Sequence, residues 1–345
     1  MTLTQPLRLM GAPGSPYTRK MLAYLRYRRI SYEFMLGDRV TDLDLPRPKV
    51  ELLPTFYLSN DEGEIEAVVD STPLIRRFEQ AFPGREAVPS DPALAFINYL
   101  VEDYADEWLT KPMFHYRWYY DADIKKAGSI LPLWHGLQMD TEQHQKFSSS
   151  VADRQISRLY VVGSNDVTAS VIEASYRRFL EIMDDLIAHQ TFVLGSRPSS
   201  ADFGIYAQLT QLAKFDPTPM SICLRDAPRV YAWVDVVDDL SGQVCEEDGW
   251  MSVEIVSDVL RPLLSEIGRV YAPALIANAN ALQAGNKHME TTIDGKPWEQ
   301  PTFPYQGRCL GWIREEYQKL AANDQAQVDY ILAGTGCEEL LRWKF

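Results

Sequence analysis

The chain has 345 residues, 46% of them hydrophobic, enough to bury more than one core, and its 48 acidic against 34 basic residues leave a net charge of −14. That charge repels phosphate backbones and argues against nucleic acid as a partner. No apolar run is long enough to span a bilayer, the start MTLTQPLRLMGAPGS lacks the basic and apolar regions of a secretory signal, and Cys223, Cys245, Cys309 and Cys337 form no C-x-x-C pair. The expectation is a cytoplasmic protein with no membrane partner, no metal site and no disulfide framework.

In chain order, Leu7 and Leu9 alternate with polar neighbours and run into GAPGSP, a short strand ending in a tight loop. Pro16 suits a first helical turn, and Met21, Leu22 and Leu25 recur at helical spacing up to about Arg29. Ile30, Tyr32 and Phe34 alternate as a second strand, and strand, helix, strand implies parallel pairing. A polar, proline-containing stretch from Gly37 to Lys49 leads to LLPTFYLSNDEGEIEAVV, two apolar runs joined by Asn60-Asp61-Glu62-Gly63 as a hairpin. DSTPLIRRFEQAFPG then carries Leu74, Ile75, Phe78 and Phe82 at helical spacing and stops at Pro83-Gly84.

Three landmarks in this βαβ-ββα block resemble the N-terminal domain of cytosolic glutathione transferases, a thioredoxin-like fold. Ser15-Pro16-Tyr17-Thr18-Arg19-Lys20 is similar to the stretch that opens the family's first helix; Leu53-Pro54-Thr55 stands in the place of its cis-proline; Asp70-Ser71 is similar to the acidic-serine pair that holds the γ-glutamyl end of glutathione. Further on, residues 194–203 (LGSRPSSADF) resemble the start of the central helix of the family's second domain, with Ser199 and Asp202 spaced as a capping box. Ala227-Pro228-Arg229-Val230-Tyr231-Ala232-Trp233 resembles its last shared helix. The resemblance covers about residues 7 to 240 and leaves an enlarged region near 121 to 165 outside the pattern. It implies an α/β thioredoxin-like glutathione-binding domain over 1–86, an all-α domain over 91–245, and a mostly helical extension over 246–345. In that extension Val253, Ile255, Val256, Val259, Leu260, Leu263 and Leu264 follow a helical period, a polar turn-rich segment spans about Thr291 to Gln306, and a second helix covers Leu310 to Leu320.

The chemistry implied is activation of the glutathione thiol. With a reference thiol pKa near ~8.5, only about 3% is thiolate at neutral pH, and lowering the pKa by about two units takes roughly 2.7 kcal/mol of differential stabilisation. A hydroxyl donor at the positive end of a helix can supply this. Ser15 is the implied donor, and a plain N-cap is its structural alternative. Tyr17 is the rival donor, with packed aromatic as its alternative. No cysteine stands at 15 or 18, which disfavours dithiol and mixed-disulfide chemistry. A cis Leu53-Pro54 bond would present the Leu53 backbone to the cysteinyl unit; Ser71 would take the γ-glutamyl carboxylate at a helix N-terminus, Asp70 the amino end, and Lys49 the glycyl carboxylate.

For the second substrate, Tyr116 and Trp118 in the aromatic run Phe114-His115-Tyr116-Arg117-Trp118-Tyr119-Tyr120 are pocket candidates, with interdomain core as the alternative, and His115 has no metal-like spacing to another histidine. The function implied is a glutathione transferase using glutathione as co-substrate against a small hydrophobic electrophile, assembled as a homodimer. The alternative is a non-catalytic protein of the same fold acting as a scaffold through its extension.

Overall fold

The computed structural model describes residues 3–36, 44–60, 62–245 and 249–343. Asp61 of the expected hairpin, and the Gly37 end of the stretch before Lys49, lie outside them. The first unit is a mixed sheet of order β2-β1-β3-β4. Strand β1 (Leu7–Gly11) leads into helix α1 (Pro16–Arg28), which returns to β2 (Tyr32–Leu36) in parallel register, Leu9 opposite Phe34. Strands β3 (Thr55–Ser59) and β4 (Ile65–Val68) are antiparallel, and α2 (Ser71–Ala81) follows. Ile30 precedes its strand rather than opening it, because Arg29 ends α1 in the left-handed region at φ 54° and turns the chain there.

The helical part runs through α3 (Pro92–Glu107), α4 (Thr110–Tyr119), α5 (Asp121–Leu133), α6 (Thr141–Ile156), a 3₁₀ turn (Leu159–Val162), α7 (Ala169–His189), α8 (Ser200–Leu212), α9 (Pro217–Asp226) and α10 (Pro228–Asp238). Every residue of α8 is buried, and both α1 and α3 pack on it. The expected capping box is formed, with Ser199 accepting from the Asp202 amide and Asp202 accepting from the Ser199 amide. Gly204 admits α3, since a β-carbon there would lie 3.2 Å from the Ala105 Cβ. The region near 121 to 165 proves to be an added helical pair, α5 and α6, and α6 buries no residue.

The extension comprises α11 (Val253–Val259), α12 (Arg261–Glu266), a π-helical turn (Ile267–Tyr271), α13 (Ala272–Gln283), β5 (His288–Ile293), β6 (Lys296–Pro301), α14 (Pro304–Gln318), α15 (Ala322–Leu332) and α16 (Glu338–Arg342). It is helical except for the β5-β6 hairpin, which occupies most of the segment expected to be turn-rich. Asp294 and Gly295, both at positive φ, make that hairpin's turn. Helices α14 and α15 lie against α3, and the extension's apolar residues join the main core. No described helix is long and apolar enough to cross a membrane.

Candidate active site

Two helix starts lie at one end of the sheet, where β1 ends, β3 begins and β4 ends. At the first, Ser15 caps α1: its Oγ accepts from the Thr18 amide and donates to the Leu53 carbonyl, both at 3.2 Å. The Leu53-Pro54 bond is cis. The loop before Ser15 is held from the helical part. Arg117 on α4 donates through Nη1 to the Gly14 carbonyl at 3.1 Å while its Nε and Nη2 grip the buried Asp216 carboxylate, and Gln211 donates to the Pro13 carbonyl. Gly14 is needed for close approach, because a β-carbon there would lie 2.4 Å from a methyl of Leu131 and 2.8 Å from the Trp134 ring.

Tyr17, in the first turn of α1, donates its hydroxyl to the Asp106 carbonyl on α3 at 2.8 Å. Burial, with Glu107 and Asp106 nearby, pushes its pKa well above the ordinary tyrosine value. Its one proton is therefore committed to the α3 backbone.

The second helix start is different. Asp70 occupies the cap position of α2 at φ 82° yet makes no side-chain cap bond. Its Oδ2 instead accepts from the hydroxyl of Tyr305, on α14, at 2.9 Å. The first-turn amides are thus left without a side-chain cap, the arrangement that suits an anion. Ser71 is buried, and its Oγ is 3.2 Å from the Nζ of Lys20, which lies wholly inside the protein on α1. Lys20 also meets Asp106 Oδ2 at 2.5 Å and Glu102 Oε1 at 2.8 Å. Glu102, though desolvated, is held below the ordinary carboxylate range by Lys20 and Arg76, whereas burial carries Asp106 above it.

Two more α3 carboxylates complete a line of acids. Burial raises Asp103 to about 7; burial, then Asp103 and Asp106, raise Glu107 to about 8. The extension covers both, since Tyr271 from the π-helical turn donates to Asp103 and Gln306 donates to Glu107 Oε2 at 3.4 Å. Asp106 Oδ1 is buried without a hydrogen-bond partner among the described residues.

The structure thus brings Ser15, Leu53, Pro54, Asp70 and Ser71 to one end of the sheet. Lys49 is exposed in the segment before Leu53. The second-substrate residues are placed otherwise. The aromatic run lies in α4 and its C-terminal cap, and Tyr116 and Trp118 are 1% and 2% exposed. Tyr116 stacks on Tyr120 and meets Tyr176 edge-on; Trp118 packs with Ala127 and Phe215. A pocket wall must offer surface, and these side chains offer almost none, so they are core. His115 bonds Ser164 at 2.8 Å and reaches Glu173 at 3.4 Å, and no cluster of metal-ligating groups occurs among the described residues. The two cavities of note lie away from Ser15, one of 470 Å³ between α13 and α14 and one of 570 Å³ between α5 and α6.

Lys20, Asp106, Arg117 and Tyr305 escaped the sequence reading. Glu102, Asp103, Asp106 and Glu107, at i, i+1, i+4 and i+5, share one face of α3, the pattern of an ordinary solvated face, so nothing local announced their burial.

Residues 9–86 match the family model described as glutathione S-transferase, N-terminal domain, and residues 153–235 match that described as glutathione S-transferase, C-terminal domain. No curated protein matches the chain. Among solved structures, the chain is similar to a glutathione S-transferase from Methylobacterium radiotolerans in complex with glutathione sulfonate, at 17% identity over 71% of this chain and 98% of that one, with a TM-score of 0.39. It is similar to a glutathione transferase family member from Pseudomonas fluorescens with two glutathione bound, at 14% identity over 68% and 89% of the two chains and a TM-score of 0.41. A third, maleylacetoacetate isomerase from Anaeromyxobacter dehalogenans with bound dicarboxyethyl glutathione and citrate, is 16% identical over 71% and 96%, with a TM-score of 0.35.

Proposed function

This chain belongs to the glutathione S-transferase family, and from that premise we propose that it binds glutathione and activates its thiol for attack on a small hydrophobic electrophile. The observation that carries the reading is the place of Ser15, at the N-terminus of α1 with its hydroxyl 3.2 Å from the Leu53 carbonyl. An extended peptide pairing with Leu53 brings its cysteinyl N–H to that carbonyl, and the Ser15 proton is then free to turn to the sulfur. The thiol proton leaves to solvent, Ser15 donates to the resulting thiolate, and the α1 dipole favours the negative charge. The thiolate lone pair then forms the carbon–sulfur bond, either displacing a leaving group with its electron pair or adding to a double bond that afterwards takes a proton from water.

Ser15 is favoured over Tyr17, whose proton is held by the Asp106 carbonyl. Ser71 and the uncapped start of α2 take the γ-glutamyl carboxylate, Asp70 the amino end, and Lys49 the glycyl carboxylate. Ser15→Ala tests the reading. Ultraviolet titration of bound thiol in that variant is expected to show a pKa higher by about one to two units, since a charge-assisted bond contributes roughly 1.5 to 3 kcal/mol. Turnover at neutral pH falls about tenfold to a hundredfold with it, and an unchanged pKa in the folded variant rejects Ser15. Binding without any turnover of generic electrophiles supports the scaffold alternative instead. A homodimer in the cytoplasm belongs to the same reading, and light scattering at micromolar concentration decides the assembly.

A further inference from the structure

The extension reaches back to the glutathione end of the sheet through one polar contact, and that contact falls on the residue with the least ordinary backbone there. Asp70 is a non-glycine residue at φ 82°, a sparsely populated conformation that persists only where the surroundings hold it. Its side chain is held from 235 positions away, by the Tyr305 hydroxyl on Asp70 Oδ2 at 2.9 Å. Tyr305 is itself fixed. Asn278 on α13 accepts from the Phe303 amide at 2.8 Å and donates to the Phe303 carbonyl at 2.9 Å, clamping the start of α14, while Trp312 meets the Tyr305 ring edge-on. The next residue, Gln306, is buried against Glu107.

Charge around this contact is unbalanced. Asp70, Asp103, Asp106 and Glu107 stand with two buried cations, Lys20 at Asp106 and Lys111 near Glu107, while Arg76 serves Glu102, and a buried oxygen of Asp106 has no donor among the described residues. Acceptors exceed donors where a ligand ammonium would supply the deficit. The neighbouring uncapped start of α2 suits a carboxylate. Together they fit the two ends of an α-amino acid zwitterion.

We propose that Tyr305 is a positioning residue for that end of the ligand: by holding Asp70 Oδ2 it presents the other carboxylate oxygen to the α-ammonium of the γ-glutamyl group, so the extension forms part of the glutathione site. The inference rests on the glutathione reading above and adds a tail residue to it. The test compares, by calorimetry on the full chain, glutathione with glutaryl-cysteinyl-glycine, which lacks only the α-amino group. Wild-type protein is expected to prefer glutathione by about tenfold, the scale of one charge-assisted hydrogen bond. In Tyr305→Phe that preference shrinks to about twofold or less, with the affinity for the desamino peptide nearly unchanged. Asp70→Asn, which leaves the extension untouched, should lose the same preference.

Equal weakening for both peptides in Tyr305→Phe would make the tyrosine merely structural and overturn the proposal. Tighter binding of glutathione by that variant would overturn it too, by making the tail an obstruction. Failure of wild-type protein to bind either peptide would reject the glutathione reading itself, a result distinct from binding with an undiminished preference in both variants, which rejects Tyr305 alone.

Discussion

The starts of α1 and α2 lie at the same end of the sheet and are completed in opposite ways. Helix α1 is capped from its own sequence, by Ser15 with Pro16 behind it. Helix α2 has a residue of the right type in the cap position, but Asp70 turns away and is held by a tyrosine from the other end of the chain. Local capping makes a helix self-sufficient and fixes one hydroxyl beside it. A cap surrendered to a distant partner leaves amides open and ties the geometry of the site to whatever supplies the partner.

The largest expected effect is on what both helix starts share. Lys20 joins α1 to Ser71, Glu102 and Asp106, so Lys20→Met should destabilise the fold by about 3–5 kcal/mol in urea titration, the usual cost of leaving buried carboxylates unpaired. A loss under about 1 kcal/mol would show that the network is not shared.

Acidity tests the buried carboxylates of α3. Burial raises Asp103 to about 7 and Glu107 to about 8, above their unfolded values near ~4. The folded state therefore holds protons that the unfolded state has released, and this contribution is fully present below pH ~4 and is lost as pH rises through about 8. Burial lowers Lys111 to about 8, which acts with the opposite sign only above that pH. Melting temperature should fall as neutrality is crossed, and Glu107→Gln should flatten the fall; an unchanged slope in that variant would remove Glu107 from the account.

Smaller effects separate the two caps. Ser15→Ala should cost about 1 kcal/mol of stability as an ordinary cap loss. Asp70→Gly should change stability by less than about 1 kcal/mol, because relief of the positive φ offsets the lost Tyr305 bond. A loss at Asp70 as large as at Ser15 would erase the contrast between them.

Most of the first unit, and the start of α8, were legible because their signals are local. Alternation in Leu7 and Leu9, proline after Ser15, the Asn60 to Gly63 turn and the Ser199-Asp202 box each act within a few residues, and each appears in the fold. The β5-β6 hairpin carried its own signature in Asp294-Gly295, but Pro297 and Pro301 spoke against a strand. The hairpin tolerates them because the extension's sheet has only these two strands. Tyr116 and Trp118, candidates for a pocket wall, are instead packed away, Tyr116 in the main core and Trp118 in a smaller cluster with Ala127 and Phe215. Contacts such as Arg117 to Gly14, Tyr271 to Asp103 and Tyr305 to Asp70 join positions 103, 168 and 235 apart, and no local pattern announces them.

Synthesis gives the Tyr305 contact a further consequence. A ribosome finishes α3 long before it reaches α14, and at about 5–20 residues per second the roughly 200 intervening residues take roughly 10 to 40 s. Through that interval Asp103 and Glu107 lack the Tyr271 and Gln306 donors, and Asp70 lacks the Tyr305 hydroxyl. The start of α2 thus waits for its partner long after the start of α1, whose cap is synthesised beside it.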